Sequence, residues 1–378
     1  MVELLFWLCV FAVFYSYFIY PGLLSVVGAK QRHNSTHQAE YPSVDVILSA
    51  YNEADCIEQR INNLLEQNYP GQLRILVASD GSSDDTGDII SRFDNEQVNA
   101  TVFQLNRGKI SVLNELVQSS DADVLVFTDA NTEFCAGAIE ALATSFTEGV
   151  GAVCGELHLV AKKGHTNKDS LYWRYEQFIK SKESDLGALL GANGGIYAIK
   201  RELYQELPSN TVVDDFCIAM NVKKQGFDVI YNQAAKALEE VSPTLKEEYG
   251  RRVRIGLGNY RALRHNLWAL NPFSGLVSWA FWSHKVLRWF APHCLILIFV
   301  LNLLLLATPL YAAIFVLQLA FYAISYLGYR YSCNNKPLHP VIAIATFFTM
   351  MNLALFQGFI RFLEGKQGGS WKSTERSS

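Results

Sequence analysis

Three long stretches of this chain contain no Asp, Glu, Lys or Arg: Leu4 to Ala29, Trp289 to Tyr329, and Pro337 to Ile360. A bilayer core needs about 20 apolar residues per helix. The first and third stretches each hold one membrane segment, and the second is long enough for two, with Thr308-Pro309 as the break. Other absences exclude whole classes. No two of the seven cysteines form a CxxC pair, so neither a zinc site nor a disulfide framework is indicated, and reduced thiols are expected. There is no Walker loop and no GxGxxG, which disfavours an NTPase or a dinucleotide enzyme. A net charge of −4 over 378 residues leaves no electrostatic footprint for nucleic acid.

What remains is a frame with a globular insert. Residues 1–29 lack a basic start and a clear small-residue cleavage site, so they read as a retained anchor and not a signal peptide. Lys30 and Arg32 follow directly, and the positive-inside rule then puts the next domain in the cytosol, at the face of the cell membrane. The sequons at Asn34 and Asn99 become chance matches on that side. Residues 43–270 carry frequent charges and form the globular domain. The stretch 272–290 mixes Trp279, Phe281, Trp282, Trp289 and Phe290 with His284, Lys285 and Arg288, which suits a helix lying in the membrane interface. Residues 291–363 supply two to three further spans, and 364–378 is a polar tail. Three C-terminal crossings would leave that tail outside, yet Lys366, Lys372 and Arg376 make it basic. Part of 339–363 is therefore a candidate to lie along the interface or to re-enter.

Within the globular part, apolar runs alternate with helical periodicity. Strands are expected at 44–50, 73–79, 101–105 and 123–128. Helices are expected through Ile57, Ile61, Leu64 and Leu65, then to about Phe93, then from Lys109 to Val117. This alternation implies an α/β, mainly parallel, Rossmann-like sheet. In such sheets ligands bind beyond the carboxyl ends of the strands. Tyr51-Asn52-Glu53, Asp80, Asn106 and Asp129 fall at those ends.

Four groups of residues can carry chemistry. Asp129-Ala130-Asn131 closes a strand with two oxygen donors, suited to Mg²⁺ or Mn²⁺ shared with a diphosphate; the same residues also make a helix cap. Asp80-Gly81-Ser82-Ser83-Asp84-Asp85-Thr86 offers a carboxylate to a base or ribose, and is also a turn. Asp214-Asp215 could be caps, or could hold a general base whose pKa is raised by burial and by its neighbour. Arg251, Arg252, Arg254, Arg261 and Arg264 could face anionic headgroups, or could clamp a leaving diphosphate.

In order along the chain, Tyr51-Asn52-Glu53, the Asp80 motif, Asn106-x-Gly108-Lys109, Thr128-Asp129-Ala130-Asn131, Gly191-Ala192-Asn193-Gly194-Gly195, Asp214-Asp215 and Arg251-x-x-Arg254 form a series. The series resembles the inverting family 2 glycosyltransferases of GT-A fold, the class that includes cellulose, hyaluronan and poly-N-acetylglucosamine synthases. The resemblance covers roughly residues 43–270, and Ser283 to Trp289 and Trp371 to Thr374 look like its membrane-bound branch. It implies a donor site at Tyr51, Glu53, Asp80, Lys109, Asp129, Arg251 and Arg254, and a metal at Asp129 and Asn131. It implies an acceptor region at Gly194, Gly195 and Asp214, and Asp215 as catalytic base. Two motifs depart from the family pattern. Asn131 replaces the second Asp of DxD, and in QxxRW Arg254 is kept while Arg251 replaces Gln and Ile255 stands where the family has Trp, a residue implied to stack on the acceptor sugar.

The partners implied are a nucleotide-sugar donor, a glycan or lipid-linked acceptor and the bilayer; no protein partner is indicated. The leading expectation is transfer of a sugar, from a UDP-linked donor, to a growing cell-surface polysaccharide. Addition of one sugar to a lipid carrier is the alternative. A non-catalytic sugar-nucleotide-binding membrane protein or a transporter is disfavoured, because the charge-free spans carry no Asp, Glu, Lys or Arg for coupling and both Asp129 and Asp215 are present.

Overall fold

The structure, a computed structural model, describes residues 1–27, 41–160, 170–240, 245–333 and 338–366. Lys30, Arg32, the Asn34 sequon and the tail beyond 366, with Trp371, Lys372 and Arg376, lie outside the described residues. The chain divides into two units, Ala29–Val241 with the last residues of the tail, and Met1–Gly28 with Ser242–Gly368.

The first unit is built on one eight-stranded sheet. Its strands are β1 (Val44–Ala50), β2 (Leu73–Asp80), β3 (Val98–Phe103), β4 (Val124–Thr128), β5 (Thr132–Phe134), β6 (Val150–Val160), β7 (Tyr197–Lys200) and β8 (Asp228–Glu240), in the order β3-β2-β1-β4-β7-β6-β8-β5. All seven residues of β1 are buried, as expected of a central strand covered on both faces. The half β3-β2-β1-β4 is parallel throughout. The other half is mixed: β7 runs antiparallel to both β4 and β6, and β5 antiparallel to β8. β6 and β8 run parallel over the longest pairing of that half, so the sheet is mainly parallel, as expected from the sequence, with antiparallel pairing confined to short β7 and β5. Short β7 and β5 enter from turns, and a strand fed by a turn is free to run antiparallel.

Parallel register fixes the site. Ala50 pairs with Ser79, and Leu48 with Thr128. The residues that follow β1, end β2 and follow β4 therefore emerge along one edge of the sheet, the edge at which α/β proteins bind ligands.

The crossover and flanking helices of this unit are Ile57–Leu65, Thr86–Ser91, Lys109–Gln118, Ala138–Ala143, Ser170–Asp185 and Asp214–Lys224. In the first of these, Ile57, Ile61 and Leu64 are fully buried at i, i+4 and i+7, the apolar stripe of an amphipathic helix.

The second unit is helical. Four of its helices are long and apolar enough to cross a membrane: Val2–Val26, Leu276–Leu304, Pro309–Cys333 and Pro340–Leu363. The expected interfacial helix over 272–290 is not a separate element. Short 3-10 turns cover Leu267–Leu270 and Pro272–Ser274, Gly275 turns the chain at φ 63°, and one helix then runs unbroken to Leu304. Pro292 is accommodated inside it. The Ser283–Trp289 motif ties this helix to the first one. Both contain a π turn, at Tyr15–Ile19 and Phe281–Val286. Tyr15 Oη and Ser283 Oγ are 2.9 Å apart, Trp279 Nε1 donates to Tyr15 Oη at 3.0 Å, and Arg288 Nε donates to the Ser16 carbonyl at 3.4 Å.

Helix Leu245–His265, expected in the globular domain, groups with this helical unit. It crosses Pro340–Leu363 at two glycines. A Cβ at Gly358 would stand 2.7 Å from Leu257 N and 2.8 Å from Val253 O, and one at Gly256 would stand 3.3 Å from Leu355 Cα. Small residues permit such close backbone approach. Gly358→Val should therefore lower the thermal midpoint of the detergent-solubilised protein, at a cost of roughly 1–3 kcal/mol or more from overpacking. Native stability in that variant would contradict the tight crossing.

Candidate active site

The loop after β1 is stitched to the loop after β2. Asn52 adopts φ 54°. Its N–H donates to Ser82 Oγ at 3.1 Å, and its Oδ1 accepts the Ser83 N–H at 2.8 Å. The Glu53 N–H donates to Thr86 Oγ1 at 2.8 Å, and the Glu53 carboxylate accepts from Cys56 Sγ at 3.3 Å. Tyr51 and Glu53 are both partly exposed on this paired loop. Asp80 is 2% exposed, and its two oxygens accept the N–H groups of Arg107 and Gly108 at 2.8 and 2.9 Å. In this structure Asp80 organises the Asn106–Gly108 loop, and only its remaining lone pairs are open to a base or ribose. Gly108, at φ 86°, then starts the helix whose first residue is Lys109.

Lys109 lies between two carboxylates. Its Nζ is 2.9 Å from Asp129 Oδ1 and 3.1 Å from Asp214 Oδ2. Burial alone would push the ammonium down, but Asp129 and Asp214 outweigh it and hold the group above the ordinary lysine range. Asp215 has no such cation in contact among the described residues. Burial first, and then the charge of Asp214, raise its pKa to about 6, while the Phe216 N–H and the more distant Lys180 and Lys109 pull it back. A buried carboxyl raised in this way is suited to accept a proton near neutral pH.

Gly194 faces both functions. A Cβ there would stand 3.6 Å from Asp215 Oδ2 and 3.8 Å from Asp129 Oδ2, and one at Gly195 would stand 2.8 Å from Thr132 Oγ1. A Cβ at 194 would make ordinary contact with both carboxylates, so a longer side chain there would extend into the space beside them. Asn131 is partly exposed, and its amide makes no hydrogen bond with any described residue.

Two cations at this end of the sheet escaped sequence reasoning. Lys180, on Ser170–Asp185, donates to the Ala192 carbonyl at 3.4 Å and to Asn193 Oδ1, holding the turn before Gly194. Arg60 is 3% exposed and donates to Thr128 Oγ1 at 2.6 Å. Its signal was available: Arg60 falls in phase with Ile57, Ile61 and Leu64 on the buried stripe.

Arg251 and Arg254 belong to the helical unit. Glu248, 5% exposed, accepts from Arg251 Nε at 2.9 Å and from Arg252 Nε at 2.6 Å. Arg251 is thus already ion-paired within its own helix. The structure brings Lys109, Asp129, Gly194, Asp214 and Asp215 together, with the loops of Tyr51, Glu53 and Asp80 on the same sheet edge.

A mainly parallel α/β sheet with carboxylates at its strand ends has the architecture of the GT-A fold. The fold is that of a mannosyltransferase from Pyrobaculum calidifontis, solved in complex with GDP-Man and Mn2+: TM-score 0.74, 20% identity, covering 97% of this chain and 100% of that one. The profile of glycosyl transferase family group 2 matches residues 132–327, and that of glycosyl transferase family 2 matches 45–207. The chain belongs to the family 2 glycosyl transferases. Among similar proteins, a poly-beta-1,6-N-acetyl-D-glucosamine synthase of Staphylococcus epidermidis is 23% identical over 249 residues, 62% of this chain and 58% of that protein. A Staphylococcus aureus (strain MSSA476) protein of the same name is 24% identical over 238 residues, 59% of this chain and 56% of its own length. The match thus spans less than two thirds of those relatives.

Proposed function

We propose that this protein is a multi-pass membrane glycosyltransferase, with its sheet domain in the cytosol, that inverts configuration as it moves a sugar from a nucleoside-diphosphate donor to a glycan hydroxyl. The observation that carries the proposal is the buried pair Asp214-Asp215 beside Asp129. Lys109 Nζ is ion-paired with Asp214 at 3.1 Å, while burial and the charge of Asp214 raise the pKa of Asp215 to about 6. Asp215 can accept a proton from an acceptor hydroxyl near neutral pH. Gly194 leaves the space between Asp215 and Asp129 clear for the reacting groups.

Donor binding is assigned to the sheet edge. Tyr51, Glu53 and Asp80 face the nucleoside, Lys109 and Asp129 the diphosphate, and Arg251 and Arg254 are assigned to the leaving group. Gly194, Gly195 and Asp214 line the acceptor side. The donor set also fits a hard divalent cation. Asp129 and the amide oxygen of Asn131 are oxygen ligands two residues apart, and no cluster of three or more His, Cys, Asp or Glu among the described residues forms a cage of its own. Such a sparse set suits Mg²⁺ or Mn²⁺ that completes its shell with phosphate oxygens and water. When bound, the ion supplies charge stabilisation to the departing diphosphate. The Mn2+ of the Pyrobaculum neighbour supports this choice.

The staphylococcal relatives, named as poly-beta-1,6-N-acetyl-D-glucosamine synthases, support a polysaccharide as the product; we assign it to the cell surface and take a UDP-sugar as donor. Ile255, in place of an aromatic residue that would stack on the acceptor, favours a second reading, addition of one sugar to a lipid-linked acceptor. One experiment separates them. Purified protein in lipid nanodiscs is given UDP-glucose, UDP-N-acetylglucosamine, UDP-galactose or UDP-glucuronate. Nucleotide release is then followed and the products are sized. Turnover of one donor into long chains is expected; a product with one added sugar selects the second reading. No release with any donor, GDP-mannose included, would reject both.

A further inference from the structure

The segment bearing Asp129 and Asn131 is braced from behind by a buried cation. Arg60 sits on the inner stripe of helix Ile57–Leu65, 3% exposed. One guanidinium nitrogen, Nη2, donates to Thr128 Oγ1 at 2.6 Å, and the other, Nη1, to Asn63 Oδ1 at 2.5 Å. The guanidinium stacks 4.3 Å from the centre of the Phe134 ring. Asn63 also grips the backbone of Phe134 on both sides, accepting its N–H at 2.8 Å and donating to its carbonyl at 2.9 Å. Residues 128 and 134, which bracket Asp129 to Glu133, are therefore both fastened to a single turn of one helix. Thr128 passes the connection on: its hydroxyl donates to the Gly195 carbonyl at 2.8 Å.

Packing alone does not call for an arginine here. A buried guanidinium loses its hydration, and a hydrophobic residue of similar volume often serves as well or better. Arg60 forms no ion pair among the described residues, and its Nε has no hydrogen-bond partner. The charges that offset its burial are Asp129 and Glu133, acting from beyond contact distance. What the guanidinium provides, and an apolar side chain cannot, is the chain of bonds Arg60–Thr128–Gly195 and a positive charge behind Asp129.

We propose that Arg60 is a positioning residue that locks the Asp129–Asn131 segment and the Gly194–Gly195 turn into one rigid frame for the diphosphate end of the donor. The inference rests on the reading of Asp129 as the carboxylate at the diphosphate. Residues that orient a metal-binding group from behind typically contribute about 10–100-fold to metal affinity.

The test uses the full chain in nanodiscs, with Mn²⁺-dependent binding of UDP measured by calorimetry and GDP as a second probe. Thermal unfolding is followed alongside. Arg60→Met keeps the volume and removes both bonds and charge; it is expected to weaken Mn²⁺-dependent nucleotide binding about 10-fold. Arg60→Lys should regain part of that loss, because an ammonium can still reach Thr128, whereas a purely space-filling role would favour Met over Lys. Thr128→Val removes the hydroxyl that joins Arg60 to Gly195 but keeps the guanidinium charge and its bond to Asn63, and should weaken binding about 3-fold, a smaller share of the same effect. It decides the matter if Arg60→Met does not fold. Native affinity in Thr128→Val, or in both variants, overturns the inference. Asp129→Ala is the control for the underlying reading: if it leaves Mn²⁺-dependent binding intact, that reading fails, and if it abolishes binding while Arg60→Met keeps the native affinity, only the role of Arg60 fails.

Discussion

Asp215→Asn is expected to lower the rate of sugar transfer by on the order of 10²–10⁴-fold, the range over which a positioned general base contributes, while nucleotide binding stays near the native level. The amide keeps the volume and the hydrogen bond from the Phe216 N–H, 2.8 Å away. It cannot take a proton from an acceptor hydroxyl. The native enzyme should show a rate that rises with pH through about 6, where Asp215 ionises, and the variant should lose that limb. Stability moves the other way. A carboxyl whose folded pKa lies near 6, above its ordinary 3.8, keeps its proton longer in the folded state than in the unfolded chain. Folding stability is therefore lost as pH rises from about 4 to about 6. Asp215→Asn removes that loss, and its thermal midpoint at neutral pH should equal or exceed the native one. A variant that transfers sugar at the native rate would end the assignment of Asp215. One that fails to unfold cooperatively would show only that the side chain is needed for folding, and the bound-nucleotide measurement would then decide.

The site residues legible in the sequence share one physical property. Asp80, Lys109, Asp129 and Asp214-Asp215 stand where a strand ends or a helix begins, so their polarity interrupts an apolar pattern at a punctuation point. The parallel half of the sheet was legible for the same reason: β1, β2 and β4 are continuous apolar runs between turns. β3 was placed three residues late, because Val98–Phe103 lies at the sheet edge with Asn99 and Ala100 exposed, and half-exposed strands carry a weaker signal. The mixed half escaped. β5 and β7 have three and four residues, too few for periodicity to register. Arg60 was hidden by its type, since an arginine on an amphipathic helix is read as solvent-facing unless its phase is compared with the apolar stripe. Lys180 and Glu248 were hidden by distance or by company. Lys180 acts on a turn 12 to 13 residues further on, and Glu248 sits in a run of charges in which nothing marks one carboxylate as buried. The 272–290 stretch was misjudged as a separate element because its charges and tryptophans resemble an interface. In the fold Ser283 and Arg288 spend that polarity on the first helix, and the helix continues to Leu304.

Lys109→Met should be the most disruptive single change in the site. The lysine side chain is 15% exposed and is shared by Asp129 and Asp214, at 26% and 11%. Removing one member of a buried ion pair leaves an uncompensated charge and costs roughly 3–5 kcal/mol; partial exposure of Asp129 to solvent places this case toward the lower end. Lys109 is also one of the groups that lower the pKa of Asp215. Its removal should move the acid limb of the rate profile above the native midpoint, a shift that simple loosening of the fold would not produce. Lys109→Met with Asp214→Asn separates the two effects. Taking away the carboxylate with its cation should restore much of the lost stability, as expected for coupled partners. It should also draw the limb back down, because the negative charge of Asp214 that raises Asp215 is gone. Nucleotide binding should stay weaker than native in the double variant, since the ammonium assigned to the diphosphate beside Asp129 is still missing. If Lys109→Met unfolds at the native temperature and keeps the native rate profile, the ammonium is not the charge on which these carboxylates depend.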